Sequence, residues 1–220
     1  MPRYKNRKVK KHNRKHYRVN MSNVLAKAGT ALSIAQQLQK LVNVERKYVI
    51  TSNSNVELTD SPTVTLLTGT AQGTTESTRI GNKIKSHDMF FRMFVSYNTL
   101  ATAQDQVCRI MIVNDRSSQG EAIQSTDVLQ EADILSPLNV EQCPSRLNIL
   151  FDQYFYLNAG TRSIKSKELY RKIDWHTTYS GTSANQTDAE SGHIYLLMFS
   201  NQSSNGPLIK YSFKYGYVDN

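Results

Sequence analysis

The chain has 220 residues, 39% of them hydrophobic, with 27 Lys+Arg against 18 Asp+Glu for a formal charge of +9. That is enough for one ordinary domain with an appendage, and it excludes wholesale disorder. The longest apolar run, Ile194–Phe199, is far short of the roughly 18 to 20 residues of a membrane span. No apolar stretch follows Met1, so no secretory signal is expected. Cys108 and Cys143 are too few for a disulfide framework and fit a reduced intracellular setting.

The surplus of charge lies at the start of the chain. Residues 1–47 hold 13 basic side chains and one acid, Glu45, a net of +12, whereas the remaining 173 residues hold 14 basic and 17 acidic, a net of −3. Residues 1–21 form a basic arm in which Arg3, Lys5, Arg7, Lys8, Lys10, Lys11, Arg14, Lys15 and Arg18 are the candidate nucleic-acid-binding residues. With so few apolar groups the arm cannot offset its ordering entropy, so it is expected to stay unstructured until it meets a polyanion. Each phosphate it neutralises releases condensed counterions, which makes such binding strong, sequence-blind and salt-dependent. A polybasic run of this kind also suits a solubilising tail or a nuclear-import receptor.

Residues 22–43 read as an amphipathic helix. Val24, Leu25, Ala28, Ala31, Leu32, Ala35, Leu38, Leu41 and Val42 recur at spacings of three and four, with Ser22 placed as N-cap. The other face shows Lys27, Gln36, Gln37, Gln39 and Lys40. That face is too weakly basic for a membrane surface, so no membrane partner is expected.

From residue 44 to the C-terminus the period becomes two. Met89, Phe91, Met93, Val95 and Tyr97 alternate with Phe90, Arg92, Phe94 and Ser96. Leu169–Tyr179 reads as one strand, with Leu169, Ile173, Trp175 and Tyr179 on one parity. Ile209, Tyr211, Phe213, Tyr215 and Tyr217 alternate with Lys210, Ser212, Lys214 and Gly216. Shorter runs at 47–51, 63–68, 107–113, 147–157 and 193–200 read as further strands, separated by turn-rich stretches at 115–120, 180–192 and 201–207. Eight or more strands without a long intervening helix predict an all-β fold, an eight-stranded antiparallel jelly-roll sandwich.

The sequence offers little chemistry. His12, His16, His87, His176 and His193 do not pair with Cys or carboxylate at a metal-finger spacing. His87-Asp88 lacks a nucleophile elbow, and Gly81-Asn82-Lys83 lacks the remainder of a phosphate-binding loop. Asp60, Asp127 and Asp133 have no spacing specific for Ca²⁺ at a subunit contact, so no cofactor, no metal site and no catalytic residue is expected.

Several segments carry a family resemblance. They are the helix running into Lys40–Lys47, the stretch Gly73–Ile84, Arg109–Arg116 with Gly120, Ser136–Asn139 followed by Ile149–Asp152, and a tail of alternating aromatics ending at Asp219. In this order they resemble the single jelly-roll capsid proteins of circular Rep-encoding single-stranded DNA viruses, which are in turn similar to satellite tobacco necrosis virus-like coat proteins. Where that family often has Asp-Lys pairs, this chain has Arg116 after Asp115 and Gln153 after Asp152. The resemblance implies a T=1 icosahedral shell of sixty copies, found in the virion and assembled in the host nucleus, around a single-stranded genome. Sixty arms and helices would bring roughly 720 positive charges inside. The alternatives are a cellular nucleic-acid-binding β-domain with a basic tail, a coat protein of a satellite single-stranded RNA virus, and an enzyme localised by its arm. Self-assembly into a closed particle separates the capsid readings from the others.

Overall fold

The computed structural model describes residues 30, 33, 34, 46–101, 104–118, 120–141, 145–161 and 163–219. The chain divides into two units, 1–44 and 45–220. In the first, Thr30, Ser33 and Ile34 are helical, and Ser33 Oγ donates to the Thr30 carbonyl at 2.8 Å. The basic arm with its nine cations, and the rest of the helix expected over 22–43, lie outside the described residues.

The second unit carries ten strands among its described residues. They are β1 (Arg46–Glu57), β2 (Thr63–Leu66), β3 (Lys83–Ser96), β4 (Gln106–Asp115), β5 (Leu147–Leu157), β6 (Ile164–Lys172), β7 (His176–Tyr179), β8 (Ala189–Ser191), β9 (His193–Ser200) and β10 (Leu208–Asp219). One sheet runs β1-β10-β3-β7-β8, with β6 also on β3, and the other runs β2-β9-β4-β5; every named pairing is antiparallel. Two four-stranded sheets, β1-β10-β3-β6 and β2-β9-β4-β5, make the jelly roll, and β7 and β8 extend the first.

The strand expected over Leu169–Tyr179 is two strands. β6 ends at Lys172 and β7 begins at His176, and both pair with β3: β6 with Asp88–Ser96 and β7 with Lys83–Lys85. Between them the backbone N–H of Ile173 donates to the His87 carbonyl, and Ser86 N–H donates to the Trp175 carbonyl. Ile173 and Trp175 still point at the core, so the alternation survives the break.

The main core fills the space between the sheets. Met89, Phe91, Met93 and Val95 of β3 and Ile209, Phe213, Tyr215 and Tyr217 of β10 meet Ile110 and Ile112 of β4 and Ile194, Leu196 and Met198 of β9. Cys108 is buried there, and removal from water pushes its thiol up to about 12, so it behaves as a small apolar group.

A second cluster lies on the other side of the four-stranded sheet. Met111, Val113, Tyr195, Leu197 and Phe199 pack under Ile123, Val128 and Leu129 of the segment between β4 and β5. That segment contains one helical turn, Ser125–Val128. β9 is therefore buried on both faces, all eight residues of it, while β10 alternates buried with exposed.

The connections fall at two ends. Segments 58–62, 97–105, 158–163 and 201–207 meet at one end, where Leu58 N–H bonds the Pro207 carbonyl, Tyr97 N–H bonds Ser163 and Gln106 Nε2 bonds Asn205. The longer segments 67–82, 116–146 and 173–192 meet at the other, through Gln72 to Thr182 and Gly120 to Ala189.

Candidate assembly elements and nucleic-acid interface

Two arginine–aspartate pairs fasten the longest loop to the sheet beneath it. Arg109 on β4 donates Nε and Nη2 to the two carboxylate oxygens of Asp152 on β5, at 2.9 and 2.7 Å. Its Nη1 donates to the carbonyls of Ile134 and Ser136, and its guanidinium lies 4.9 Å from the Tyr154 ring centroid. At the loop's base Arg146 donates Nε and Nη2 to fully buried Asp115, and Arg116 N–H bonds the Arg146 carbonyl. These partners define the two aspartates followed by Arg116 and Gln153: each holds an arginine from elsewhere in the chain. Bidentate guanidinium–carboxylate pairs fix geometry as well as charge.

At the long-loop end Arg79 is fully buried. Its Nε donates to the Thr70 carbonyl at 2.9 Å, Nη1 to the Gly81 carbonyl at 2.6 Å and Nη2 to the Gly181 carbonyl. The guanidinium lies 4.0 Å from the Tyr179 ring centroid. Arg79 therefore faces the interior and is not part of a surface basic patch with Lys83 and Lys85, and Lys85 pairs with Asp174 at 3.0 Å. Gly73–Ile84 is a structural clamp.

Tyr179 meets His193 edge to face at 4.7 Å. His193 Nε2 lies 2.9 Å from the Thr178 carbonyl, so it carries the proton and donates. Nδ1 then accepts from Thr68 Oγ1, which itself accepts from Ile194 N–H. Burial pulls the imidazole from 6.5 down to about 4. A depressed histidine binds its proton more readily unfolded, so stability is full above about pH 6.5 and falls as pH drops toward 4. The expected loss is about 1.4 kcal/mol per pH unit and up to about 3 kcal/mol in all. Urea denaturation of the wild type and His193→Gln from pH 7 to 4 checks this; parallel pH profiles for the two proteins would refute it.

The cations expected to meet nucleic acid fall on two parts of the chain. The arm residues lie outside the described region. Lys47, counted with them by charge, is buried at 3% exposure, pairs with Asp219 at 2.8 Å and donates to the Thr78 carbonyl. It belongs with Arg46 to β1 of the β-body, and without these two the pool narrows to residues 1–45 at a net of +10.

The outward face of the β1-β10-β3-β6 sheet was not singled out as a site by the sequence. Cross-strand rows on it place Ile50, Lys214, Phe90 and Tyr170 side by side, then Ser52, Ser212, Arg92 and Glu168. Lys214 Nζ lies 4.5 Å from the Tyr48 ring centroid, and the Arg92 guanidinium 5.4 Å from that of Phe90. Tyr48, Phe94 and Tyr170 are 42%, 48% and 59% exposed. The available signal was the second parity of β3 and β10, where aromatics and cations stand in place of the usual small polar residues.

Among the described residues no helix is long and apolar enough to cross a membrane, and no three His, Cys, Asp or Glu side chains group around a point that would hold a metal ion.

The family model of the satellite tobacco necrosis virus coat protein matches residues 10–220. No curated protein matches the chain. Among solved structures, dimeric latent PorU from Porphyromonas gingivalis aligns with a TM-score of 0.39 at 6% identity, over 81% of this chain and 13% of that one. Desmodium yellow mottle tymovirus aligns with a TM-score of 0.40 at 9% identity, over 80% of this chain and 86% of that one. Mud crab tombus-like virus aligns with a TM-score of 0.37 at 13% identity, over 81% of this chain and 83% of that one.

Proposed function

The chain belongs to the satellite tobacco necrosis virus coat protein family, and from that membership we propose that sixty copies of this viral coat protein close into a T=1 icosahedral shell around a single-stranded genome. The observation that carries the packaging half is the partition of charge. Residues 1–45 hold a net of +10, and the rest of the chain a net close to zero. A body of that kind does not repel its neighbours strongly, and a separate cationic arm leaves it free to pack.

Sixty arms of this charge bring roughly 600 positive charges to the enclosed volume, a useful fraction of the phosphates of a genome of a few thousand nucleotides. Closed point-group assembly needs a rigid subunit with defined loops, and the Arg109–Asp152 and Arg146–Asp115 pairs supply that rigidity to the longest one. Nothing in this reading calls for a catalytic step.

The segments that resemble circular Rep-encoding virus capsids favour DNA as the cargo and nuclear assembly as the setting. The family match favours a satellite-virus coat protein as the second reading, with RNA inside. Charge pooling is blind to the sugar, so the cargo itself must be identified.

Negative-stain electron microscopy of the purified chain, before and after nuclease and high salt, tests the shell. Uniform small icosahedral particles with protected nucleic acid are expected, and digestion of the extract with DNase or RNase then separates the two cargoes. A monomer or small oligomer that never closes around added single strands would overturn the proposal.

A further inference from the structure

We propose that a groove on the outward face of the β1-β10-β3-β6 sheet is a nucleotide-binding site for single-stranded nucleic acid, with the Phe94 ring stacking on a base and Lys210 and Arg92 meeting the phosphates. The proposal rests on the packaging reading and deepens it: the β-body grips the strand that the arm attracts.

The two sheets differ in what covers them. The outer face of β2-β9-β4-β5 is roofed by Ile123, Val128 and Leu129, whereas the other sheet turns Lys210, Ser212 and Lys214 of β10 to solvent. Among the described residues nothing covers this face, and a sheet face open to water usually shows polar residues. This one instead exposes rings among cations, the combination that holds single strands by stacking and charge.

The groove has a local cause. β1 and β10 pair in register from Arg46↔Val218 to Asn53↔Tyr211, and then β1 bulges between Asn53 and Val56, with Asn55 in the left-handed region at φ 56°. The bulge draws β1 aside and leaves a hollow of about 470 Å³, lined by Ser52, Asn53, Arg92, Phe94, Lys210 and Ser212 among others. Lys210 stands directly opposite Phe94 in the ladder, and Arg92 is two residues along β3 on the same face.

Among the described residues no carboxylate lines the hollow. The rows around it set Arg92, Lys210 and Lys214 against Glu168 and Glu57, a surplus of one cation that favours an anion. Arg92 gives its Nε to Glu168 at 2.7 Å, which steadies a guanidinium that has four further N–H donors. A π-face is offered only by an unpaired base, which selects single strands over duplex, and every base has one, which suits a genome of any sequence.

The test uses the full chain and two fluorescent oligomers of equal phosphate count, oligothymidine and its abasic analogue, at 0.3 M salt to mute the arm. The wild type is expected to bind oligothymidine about tenfold more tightly than the abasic strand. Phe94→Ala should erase that preference, and Phe94→Tyr, which keeps the ring, should retain it. Lys210→Glu should weaken both strands alike. Because Phe94 is half exposed, its truncation leaves the core intact. Equal affinity of the wild type for the two strands, or a preference untouched by Phe94→Ala, would overturn the groove while leaving the arm's packaging role standing. A wild type that binds neither strand at any salt would overturn the packaging reading and this one together.

Discussion

A chain lacking residues 1–18 is expected to fold and stay soluble but to lose its grip on nucleic acid. The deletion removes Arg3, Lys5, Arg7, Lys8, Lys10, Lys11, Arg14, Lys15 and Arg18, nine cations with no carboxylate among them. Nothing from β1 to β10 is touched, because β1 begins at Arg46. For single strands the salt slope is about 0.7 per neutralised phosphate, so removing nine cations should flatten the log–log slope by about 6. At physiological salt that corresponds to a loss of several powers of ten in affinity. Single Lys→Ala changes in the arm should each move the slope by less than about 1, since a charge pool has no essential member. Filter binding from 50 to 300 mM salt, with the absorbance ratio of any particles as a second readout, measures both. Nucleic-acid content unchanged by the deletion would show that the arm is a tail and that the body does the packaging.

Arg79→Ala is expected to be the most damaging single substitution in the β-body. The side chain is fully buried and serves the carbonyls of Thr70, Gly81 and Gly181, so it ties segment 67–82 to segment 173–192. Truncation strands one buried and two partly buried acceptors, empties the space over Tyr179 and removes a cation–π contact. The expected cost is about 4 kcal/mol, or roughly 10 °C in thermal midpoint for a domain of this size. Arg79→Lys should recover little, because an ammonium cannot reproduce a planar fork of donors spread over three carbonyls. Differential scanning calorimetry reads the stability, and particle yield reads the assembly. A midpoint within 2 °C of the wild type would show that the loop end holds itself without the arginine.

Strand after strand was legible from its alternation. β10 reads directly, with Ile209, Tyr211, Phe213, Tyr215 and Tyr217 inward and Lys210, Ser212 and Lys214 outward, because a sheet covered on one face writes period two into its sequence. β9 breaks that rule. Ile194–Phe199 is continuously apolar because the segment between β4 and β5 folds over its second face. The run was visible as a run and read as one more strand, but its burial on both sides came only with the fold. What roofed it was not visible, since Ile123, Val128 and Leu129 lie in a stretch with no regular period. The break between β6 and β7 was hidden for the opposite reason: Ile173 and Trp175 keep the parity of one continuous strand.

Composition and periodicity by themselves determined that this protein is an all-β body carrying a cationic arm, because net charge and side-chain alternation are local properties of the chain. Which cations belong to the solvent and which to the interior was decided only by tertiary structure. Lys47 and Arg79 look in sequence like members of basic clusters, yet one is held by Asp219 and the other by three carbonyls and an aromatic ring drawn from distant segments. The same holds for the hollow beside Phe94. It needs a bulge in β1, a lysine from β10 and an arginine from β3, three strands brought together by ladder register that no single window of sequence contains.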